Sequence, residues 1–433
     1  MVQIALLLFG TRFTRKKALP LALIALLWLV LGVVIIIDGL DGVRYFPLRT
    51  FGALLLIESM VTLFMASSAS GAQRAIFTFK GGIFCFVALM ILCGRSTSDM
   101  LLAIFFGFSY FITAILMMLA AWVVRFERWK QTFIGGIGRF AFAVFLVTPW
   151  PTHYHDTLSL FIGMTLILGG INTLNIALSL RHLQQGSSIF QLFAPVSLLK
   201  NVARRRPGKV FDARDMGAQG QGLTVHIWTP EGTSANPALP RPVINRYIAA
   251  VDSNGVISTG HAALEMTPDL YISLYPATEI DRSPGEFFNI LKATQENNVA
   301  GVFQPSYRHE AEEWCESTRK IIFSRYNEAS LRHFWEHYRQ DEIYNLTWRN
   351  CSSSVAFALE AAMDGVLASR HHDWLAFIRL FFMPELWIAA QLRRRATTMA
   401  WTPGLVADYA RAIRALVHLA GMRLKQEQKA AEG

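Results

Sequence analysis

Long uncharged apolar runs dominate residues 1–185, and six of them are long enough to form a membrane-spanning helix. They lie at 18–38, 50–68, 75–94, 99–124, 132–149 and 157–180. About 20 apolar residues in helical form cross the ~30 Å hydrocarbon core of a bilayer. The pattern therefore predicts an all-α, six-helix transmembrane domain over residues 1–185.

The even-numbered predicted helices share one sequence design. Segments that start at Phe51, Phe106 and Phe161 have isoleucine at the seventh position and a small residue at the ninth, namely Ser59, Ala114 and Gly169. A fixed period indicates a repeated structural unit, and small residues let neighbouring helices approach closely. The repeat predicts three helical hairpins of similar construction.

Two ionisable side chains deep inside the apolar spans are candidates for a function. Glu58 lies near the middle of the second predicted helix, and Arg139 lies about two turns into the fifth. Buried charges in a membrane are costly and often functional. A structural pair, or an arginine that snorkels to the cytoplasmic face, is favoured over an ion pathway because a transporter would carry more buried charges.

The hydrophobic pattern changes after residue 185. Residues 186–222 form a basic and then Gly- and Gln-rich segment, typical of a linker. From residue 223 short alternating runs predict strands, with a hairpin at Asn254–Gly255 and a turn at 267–269. This is an α+β domain with an antiparallel sheet over 223–370, and alternation places His261 and Glu265 on one face.

The rest of the chain is predicted to be helical. Residues 307–345 are dense in charged and aromatic side chains and are interpreted as helix, with Cys315 inside it as a structural cysteine. Residues 371–433 form a C-terminal helical segment that either associates with the membrane or packs on the core. The arginines at 393–395 are predicted to anchor it at lipid headgroups.

Charge and composition limit the classes of function that the chain can have. The chain has 433 residues, 53% of them hydrophobic, and a formal net charge of +10. Much of the positive charge flanks the apolar spans, which indicates membrane topology rather than nucleic-acid binding. The basic loops lie on the side of both termini, so both termini are expected in the cytoplasm. The four cysteines lack zinc-ligand spacing, and no metal or cofactor is expected.

Cys351 begins a predicted helix in the stretch 346–365. The positive end of a helix dipole favours a thiolate. A nucleophilic thiolate also needs a base, and any of the 11 histidines fits on sequence alone. From the residues themselves, a structural cysteine and a catalytic one are equally well supported.

The runs at 28–40 and 162–181, with the helix count and the repeat, resemble the HdeD-like six-helix proteins of the bacterial inner membrane. The resemblance covers roughly 15–185 and implies a link to acid resistance without catalytic residues. It also implies a location in the bacterial inner (cytoplasmic) membrane, and a homo-oligomer through the membrane domain is a possible arrangement.

Gly260–His261 and, later, Asn350–Cys351 resemble the two motifs of the circularly permuted papain-like superfamily, which includes NlpC-type peptidases and lecithin:retinol acyltransferase-like proteins. The resemblance covers about 223–370. It implies Cys351 as the nucleophile and His261 as the base. It also implies an orienting group, for which Ser273 is the first candidate and Glu265 the second.

In the same resemblance, Asn350 either shapes the oxyanion site or only caps the helix, and Tyr344 is a further polar contact. The expected function is a membrane-anchored thiol hydrolase or acyltransferase that acts on a peptide or a lipid acyl group beside membrane lipids. The alternative is a non-catalytic, HdeD-type stress or scaffold protein whose soluble domain only binds.

Overall fold

A computed structural model of the chain is mostly helical, with several apolar helices and a small antiparallel sheet region. It describes residues 1–40, 48–68, 71–93, 96–149, 154, 157–181, 189–190, 222–229, 250–251, 257–258, 260–280, 286–368 and 373–432. The described chain divides into two compact units. One comprises 19–119 and 130–177, and the other comprises 1–18, 120–129 and 178–433.

Each of the six predicted apolar segments contains a helix. The helices are α1 (Val2–Leu40), α2 (Leu48–Ser68), α3 (Gly71–Cys93), α4 (Ser96–Val124), α5 (Trp129–Val147) and α6 (Thr157–Arg181). Among the described residues, four stretches are long and apolar enough to cross a membrane: Lys16–Leu40, Asp99–Val124, Trp129–Val147 and Ser159–Arg181. A fifth is possible by the same criteria if a bent helix pair near the C-terminus counts as one span.

Small residues and aromatic stacking hold the helices of the first unit together. Gly32 and Gly163 face each other so closely that a Cβ on either would lie 2.7 Å from the other's carbonyl oxygen. Phe106 and Phe161, the first residues of two repeat units, stack with ring centroids 3.8 Å apart. The ninth positions Ser59 and Ala114 are fully buried. Small residues at these positions permit close helix contact.

Glu58 and Arg139, the ionisable residues singled out in the spans, have separate partners. Lys80 Nζ lies 2.6 Å from Glu58 Oε1, and Thr62 donates to the same oxygen at 3.2 Å. Arg139 donates to the sulfur of Met117. Of the two structural alternatives for these charges, a pair between Glu58 and Arg139 is therefore not the one seen, because the carboxylate is paired with Lys80 of the next helix.

The second unit contains the sheets. Its strands are β1 (Leu223–Trp228), β2 (Ala250–Val251), β3 (Ile257–Ser258), β4 (His261–Met266), β5 (Leu270–Ile272), β6 (Leu274–Pro276), β7 (Val299–Phe303), β8 (Arg319–Phe323) and β9 (Ile343–Tyr344). The largest sheet is antiparallel with the order β5-β4-β1-β8, and a second has the order β6-β7-β9. β2 pairs with β3 on either side of 252–256, so the predicted Asn254–Gly255 turn itself lies outside the described residues.

Helices of the second unit complete its core. They are α7 (Phe287–Ile290), α8 (Tyr307–Glu313), α9 (Glu328–Tyr338), α10 (Cys351–Ala362), α11 (Asp373–Leu380), α12 (Pro384–Thr398) and α13 (Pro403–Glu432), with a 3-10 turn at Gln295–Asn297. α10 packs on β4 and α13 on β1 and β8. Every residue of α10 is buried, so it is the central helix of the unit rather than an amphipathic surface helix.

The predicted continuous helix over 307–345 is wrong. The structure interrupts it with strand β8, in which Ile321 and Phe323 are buried and Lys320 and Ile322 are exposed. This alternation is the two-residue period of a strand. Cys315 consequently lies exposed between α8 and β8, and its carbonyl accepts a hydrogen bond from Trp228 Nε1.

The N-terminal segment belongs to the unit that contains the sheets. Residues 4–9 are buried, and α1 is broken at Gly10, where φ is +72°. The carbonyls of Leu7 and Leu8 accept hydrogen bonds from the backbone N–H groups of Gly365 and Leu367 at 2.9 and 2.8 Å. The predicted transmembrane domain of 1–185 thus begins with a segment that forms part of the other unit's core.

The predicted linker and tail contain core residues as well. Of the linker 186–222, the structure describes Ile189, Phe190 and Gly222, and the first two are buried. In the tail, Arg393 is buried and its guanidinium binds Glu360 of α10 at 2.7 Å. Arg393 is therefore not a headgroup anchor, whereas Arg394 and Arg395 are exposed.

Candidate active site

Cys351 occupies the first position of α10, directly after the residue that caps this helix. The Asn350 side chain accepts from the Ser353 N–H at 2.7 Å, and the Ser353 hydroxyl accepts from the Asn350 N–H at 2.8 Å. This capping box fixes where the helix begins. The Cys351 side chain is therefore held at the positive end of the helix dipole, where a thiolate is favoured.

His261 is the first residue of β4, and α10, which begins with Cys351, packs on this strand. The strand register places His261 opposite Trp228 of β1, and its side chain is buried. Burial raises the pKa of Cys351, but the attraction and hydrogen bond of His261 outweigh this effect. With further hydrogen bonds from Ser352 and the Ala262 backbone, the net result is a thiol pKa below its ordinary value.

The far side of the imidazole is held by two acceptors. His261 Nε2 lies 2.8 Å from Ser273 Oγ and 3.2 Å from Glu310 Oε1. The Ser273 hydroxyl donates to Glu310 at 2.9 Å, so it accepts the hydrogen bond from His261. Because Nε2 carries the proton in this arrangement, Nδ1 is the ring nitrogen left for the thiol.

Glu310, on α8, is the buried centre of a small polar network. Its carboxylate accepts hydrogen bonds from Ser273, from Tyr271 and from Tyr275. The Tyr275 ring also stacks on the His261 imidazole with centroids 4.2 Å apart. Burial and then the hydrogen bond to Glu310 raise the pKa of both tyrosines, so both stay protonated donors.

The other predicted site residues lie in different surroundings. Glu265 shares a sheet face with His261, but its carboxylate binds His226 at 2.9 Å, so it does not orient His261. Asn350 uses its amide to donate to the carbonyls of Leu346 and Trp401, which makes it a cap rather than an oxyanion ligand. The Tyr344 ring packs in an apolar cluster with Leu274 and Leu346.

Sequence reasoning missed Glu310 because it placed this residue in an undifferentiated charged helix. The local signal was present, since Ser306 begins α8 and its side chain accepts from the His309 N–H at 3.2 Å. A short helix that starts at 307 turns Glu310 toward the sheet, whereas Glu312 and Glu313 are exposed. Tyr271 and Tyr275, which flank Ser273 in β5 and β6, were missed as well, because their hydroxyl groups meet Glu310 only after α8 packs on the sheet.

Among the described residues, no group of three or more His, Cys, Asp or Glu side chains is arranged to hold a metal ion. No protein-family model, curated protein or solved structure matched the chain. The groups available for chemistry are a buried thiol, an imidazole that lowers the pKa of that thiol, and a carboxylate behind the imidazole.

Proposed function

We propose that the chain is a membrane-anchored cysteine hydrolase or acyltransferase that cleaves an amide or ester bond. One observation supports this proposal most strongly. His261 lowers the pKa of Cys351, and Glu310 holds His261 both directly and through Ser273. A thiol, a base and a group that orients the base form the general arrangement of nucleophilic catalysis by cysteine.

The reaction runs in two halves. His261 Nδ1 takes the Cys351 proton, and the thiolate attacks the carbonyl carbon of the substrate. Collapse of the tetrahedral intermediate breaks the amide or ester bond, and His261 returns the proton to the leaving amine or alcohol. Water, or an acceptor hydroxyl or amine in an acyltransferase, then attacks the thioester while His261 accepts its proton. Glu310 and Ser273 hold the imidazole and stabilise its charged form.

The start of α10 supplies a place for the oxyanion. The N–H groups of Ser353 and Ser354 are taken by the Asn350 side chain and carbonyl at 2.7 and 3.0 Å. The cap thereby leaves the N–H groups of Cys351 and Ser352 for other acceptors. A negatively charged oxygen next to the reacting sulfur is stabilised by such donors and by the helix dipole.

The proposed enzyme works at the cytoplasmic side of a bacterial inner membrane. The distribution of basic loops favours this side for both termini. This placement keeps the thiol reduced and gives the site access to membrane lipids and membrane proteins. Lipid acyl groups and peptides are both retained as substrates, and a cell-wall hydrolase is disfavoured.

The proposal is tested by thiol reactivity in the full chain. Cys85, Cys93 and Cys315 are replaced by serine so that Cys351 is the one remaining cysteine, and its alkylation by iodoacetamide is followed between pH 5 and 10. Because its pKa is lowered, the thiolate persists below the ordinary titration range of a thiol, and alkylation is expected to remain fast as the pH falls toward neutrality. His261→Ala should shift the profile to higher pH and slow labelling at pH 7 by about tenfold or more.

A matched control separates chemistry from folding. His226 is a second buried histidine on the same sheet, and it binds Glu265 and Ser317 rather than Cys351. His226→Ala should leave the Cys351 profile in place. If both alanine variants change labelling equally, or neither does, the thiol–imidazole pair is refuted, and the binding-only stress or scaffold protein becomes the better interpretation.

A further inference from the structure

A patch of large apolar side chains lies exposed on α11, the following turn and the start of α12. Trp374, Leu375, Ile378 and Trp387 are exposed, and Phe382 at the turn is 81% exposed. Residues 374, 378 and 382 follow each other at the four-residue spacing of a helix face. The opposite face of α11 is buried through Phe377 and Leu380, so the two faces of this helix have different neighbours.

The buried face of α11 is fastened to the start of an apolar span. Phe377 packs on Phe9 and Phe13 of α1, with ring centroids 5.6 and 5.2 Å apart. One turn further along α1, Lys17 Nζ lies 5.4 Å from the Trp374 ring. Lys17 is the second residue of the candidate membrane span Lys16–Leu40. α11 therefore contacts the residues of α1 that directly precede its apolar stretch in the sequence.

The composition around the patch is that of a lipid interface. Exposed lysine and arginine side chains lie on the same helices, at Lys16 of α1, Arg379 of α11, and Arg394 and Arg395 of α12. Tryptophan is enriched at the headgroup level of membranes, and basic side chains there attract anionic lipid. The α11–α12 pair is bent by 67°. The two helices are long and apolar enough to be a candidate membrane span only when they are counted together. Such a pair fits a helix hairpin that enters one leaflet rather than a helix that crosses both.

We propose that the α11–α12 hairpin is inserted into the cytoplasmic-side leaflet, with Phe382 in the acyl region and Trp374 and Trp387 near the headgroups. The occupant of the exposed patch is thus lipid. The catalytic helix is joined to this hairpin, because Trp401, three residues after α12, accepts a hydrogen bond from the Asn350 side chain at 3.0 Å. The proposal does not depend on catalysis by Cys351.

The test places a nitroxide spin label at single positions of the full chain in nanodiscs of phosphatidylethanolamine and phosphatidylglycerol. The four native cysteines are replaced by alanine, and Phe382→Cys or Trp374→Cys supplies the labelled thiol. Collision with oxygen, which concentrates in lipid, is compared with collision with a water-soluble nickel complex. The label at 382 is expected to favour oxygen strongly, and the label at 374 is expected to give an intermediate ratio.

Ile322 provides the matched control, since it is also a large apolar side chain with high exposure (56%) but lies on edge strand β8. The label from Ile322→Cys should be reached by the nickel complex. Equal nickel access at 382 and 322 would place the hairpin in water and overturn the proposal. Exclusion of both reagents at 382, with dipolar broadening between labels, would overturn it in favour of a second copy of the chain.

Discussion

Glu310 shows how one buried carboxylate organises the chemistry of neighbouring residues. Three hydroxyl groups donate to it, and its Oε1 lies 3.2 Å from the His261 ring nitrogen. A buried carboxylate is costly unless its oxygens are satisfied. Here the same donors that satisfy it also fix its position, so the imidazole has one orientation with respect to the thiol.

The charge of Glu310 can be tested separately from its shape. Glu310→Gln keeps the side-chain length and an acceptor oxygen but removes the negative charge that stabilises protonated His261. We expect alkylation of Cys351 at pH 7 to slow by about 10–100-fold, an energy of roughly 1.4–2.7 kcal/mol. The rate is measured in the single-cysteine background described above.

Glu265→Gln is the control for that substitution. Glu265 lies on the same sheet face but pairs with His226, so its loss of charge should leave the reactivity of Cys351 within about twofold. An unchanged rate in Glu310→Gln, or an equal loss in both variants, would remove Glu310 from the proposed mechanism. Ser273→Ala should have a smaller effect than Glu310→Gln, because Glu310 still reaches His261 directly.

Part of this site follows from sequence, and part depends on tertiary structure. Cys351, His261 and Ser273 lie on locally recognisable elements, namely a capped helix start and alternating strands. Glu310 is separated from Ser273 by 37 positions, and the Ser306 cap marks where α8 begins but not whether Glu310, Glu312 or Glu313 faces the sheet. The way in which α8 folds back on the sheet decides which of these carboxylates is buried, and hydrophobic periodicity carries little information about so short a helix.

At the scale of elements, α10 is held at both ends. Its N-terminus is capped by Asn350, and Glu360 near its C-terminus binds Arg393 of α12, with Tyr409 of α13 donating to the same carboxylate at 3.1 Å. A buried ion pair contributes little net stability, but removal of one partner leaves an uncompensated charge. The pair, with Tyr409, therefore fixes how α12 and α13 are placed on α10.

Arg393→Met tests this arrangement. Glu360 would remain buried without its cation, and the unfolding free energy of the unit is expected to fall by about 3–5 kcal/mol. The double variant Arg393→Met with Glu360→Leu should recover most of that loss. Both are compared by thermal unfolding of the full chain in one detergent. A double variant as unstable as the single one would show that the arginine stem, rather than its charge, holds α12.

The order of elements was more predictable than their boundaries. The apolar runs predicted helices at six positions, and β1 and the 267–269 turn lie where alternation placed them. The run at 270–276 contains two strands rather than one, because the chain changes sheets at Ser273. Pairing partners decide such a break, and they are distant in sequence. Strand β8 was not predicted for a local reason. Charged residues flank it on both sides, so its alternation of buried and exposed positions was not apparent in the sequence.

At the scale of the whole molecule, the unit that contains the site is discontinuous in sequence. Its core includes Ile4, Leu6, Leu7, Leu8 and Phe9, all at most 3% exposed. The sequence pattern assigns these residues to the transmembrane domain of 1–185, because local hydrophobicity cannot tell a core from a bilayer. The hydrogen bonds from Gly365 and Leu367, and the ring contact of Phe9 with Phe377, reveal their placement. A domain boundary drawn from hydropathy would separate them from the fold that they complete.

The resulting prediction concerns a fragment of residues 178–433. Each of the five buried side chains contributes about 1.5–3 kcal/mol, so together they rival the entire stability of a typical domain, about 5–15 kcal/mol. The fragment alone is expected to unfold at a much lower temperature than the same fragment co-expressed with residues 1–18. Circular dichroism and hydrogen exchange of α10 would report the difference. Co-expression with a 1–18 segment carrying Leu8→Asp is the control, because a buried carboxylate at that position should abolish the rescue. Equal melting temperatures with and without the segment would show that residues 4–9 merely cover the core instead of forming part of it.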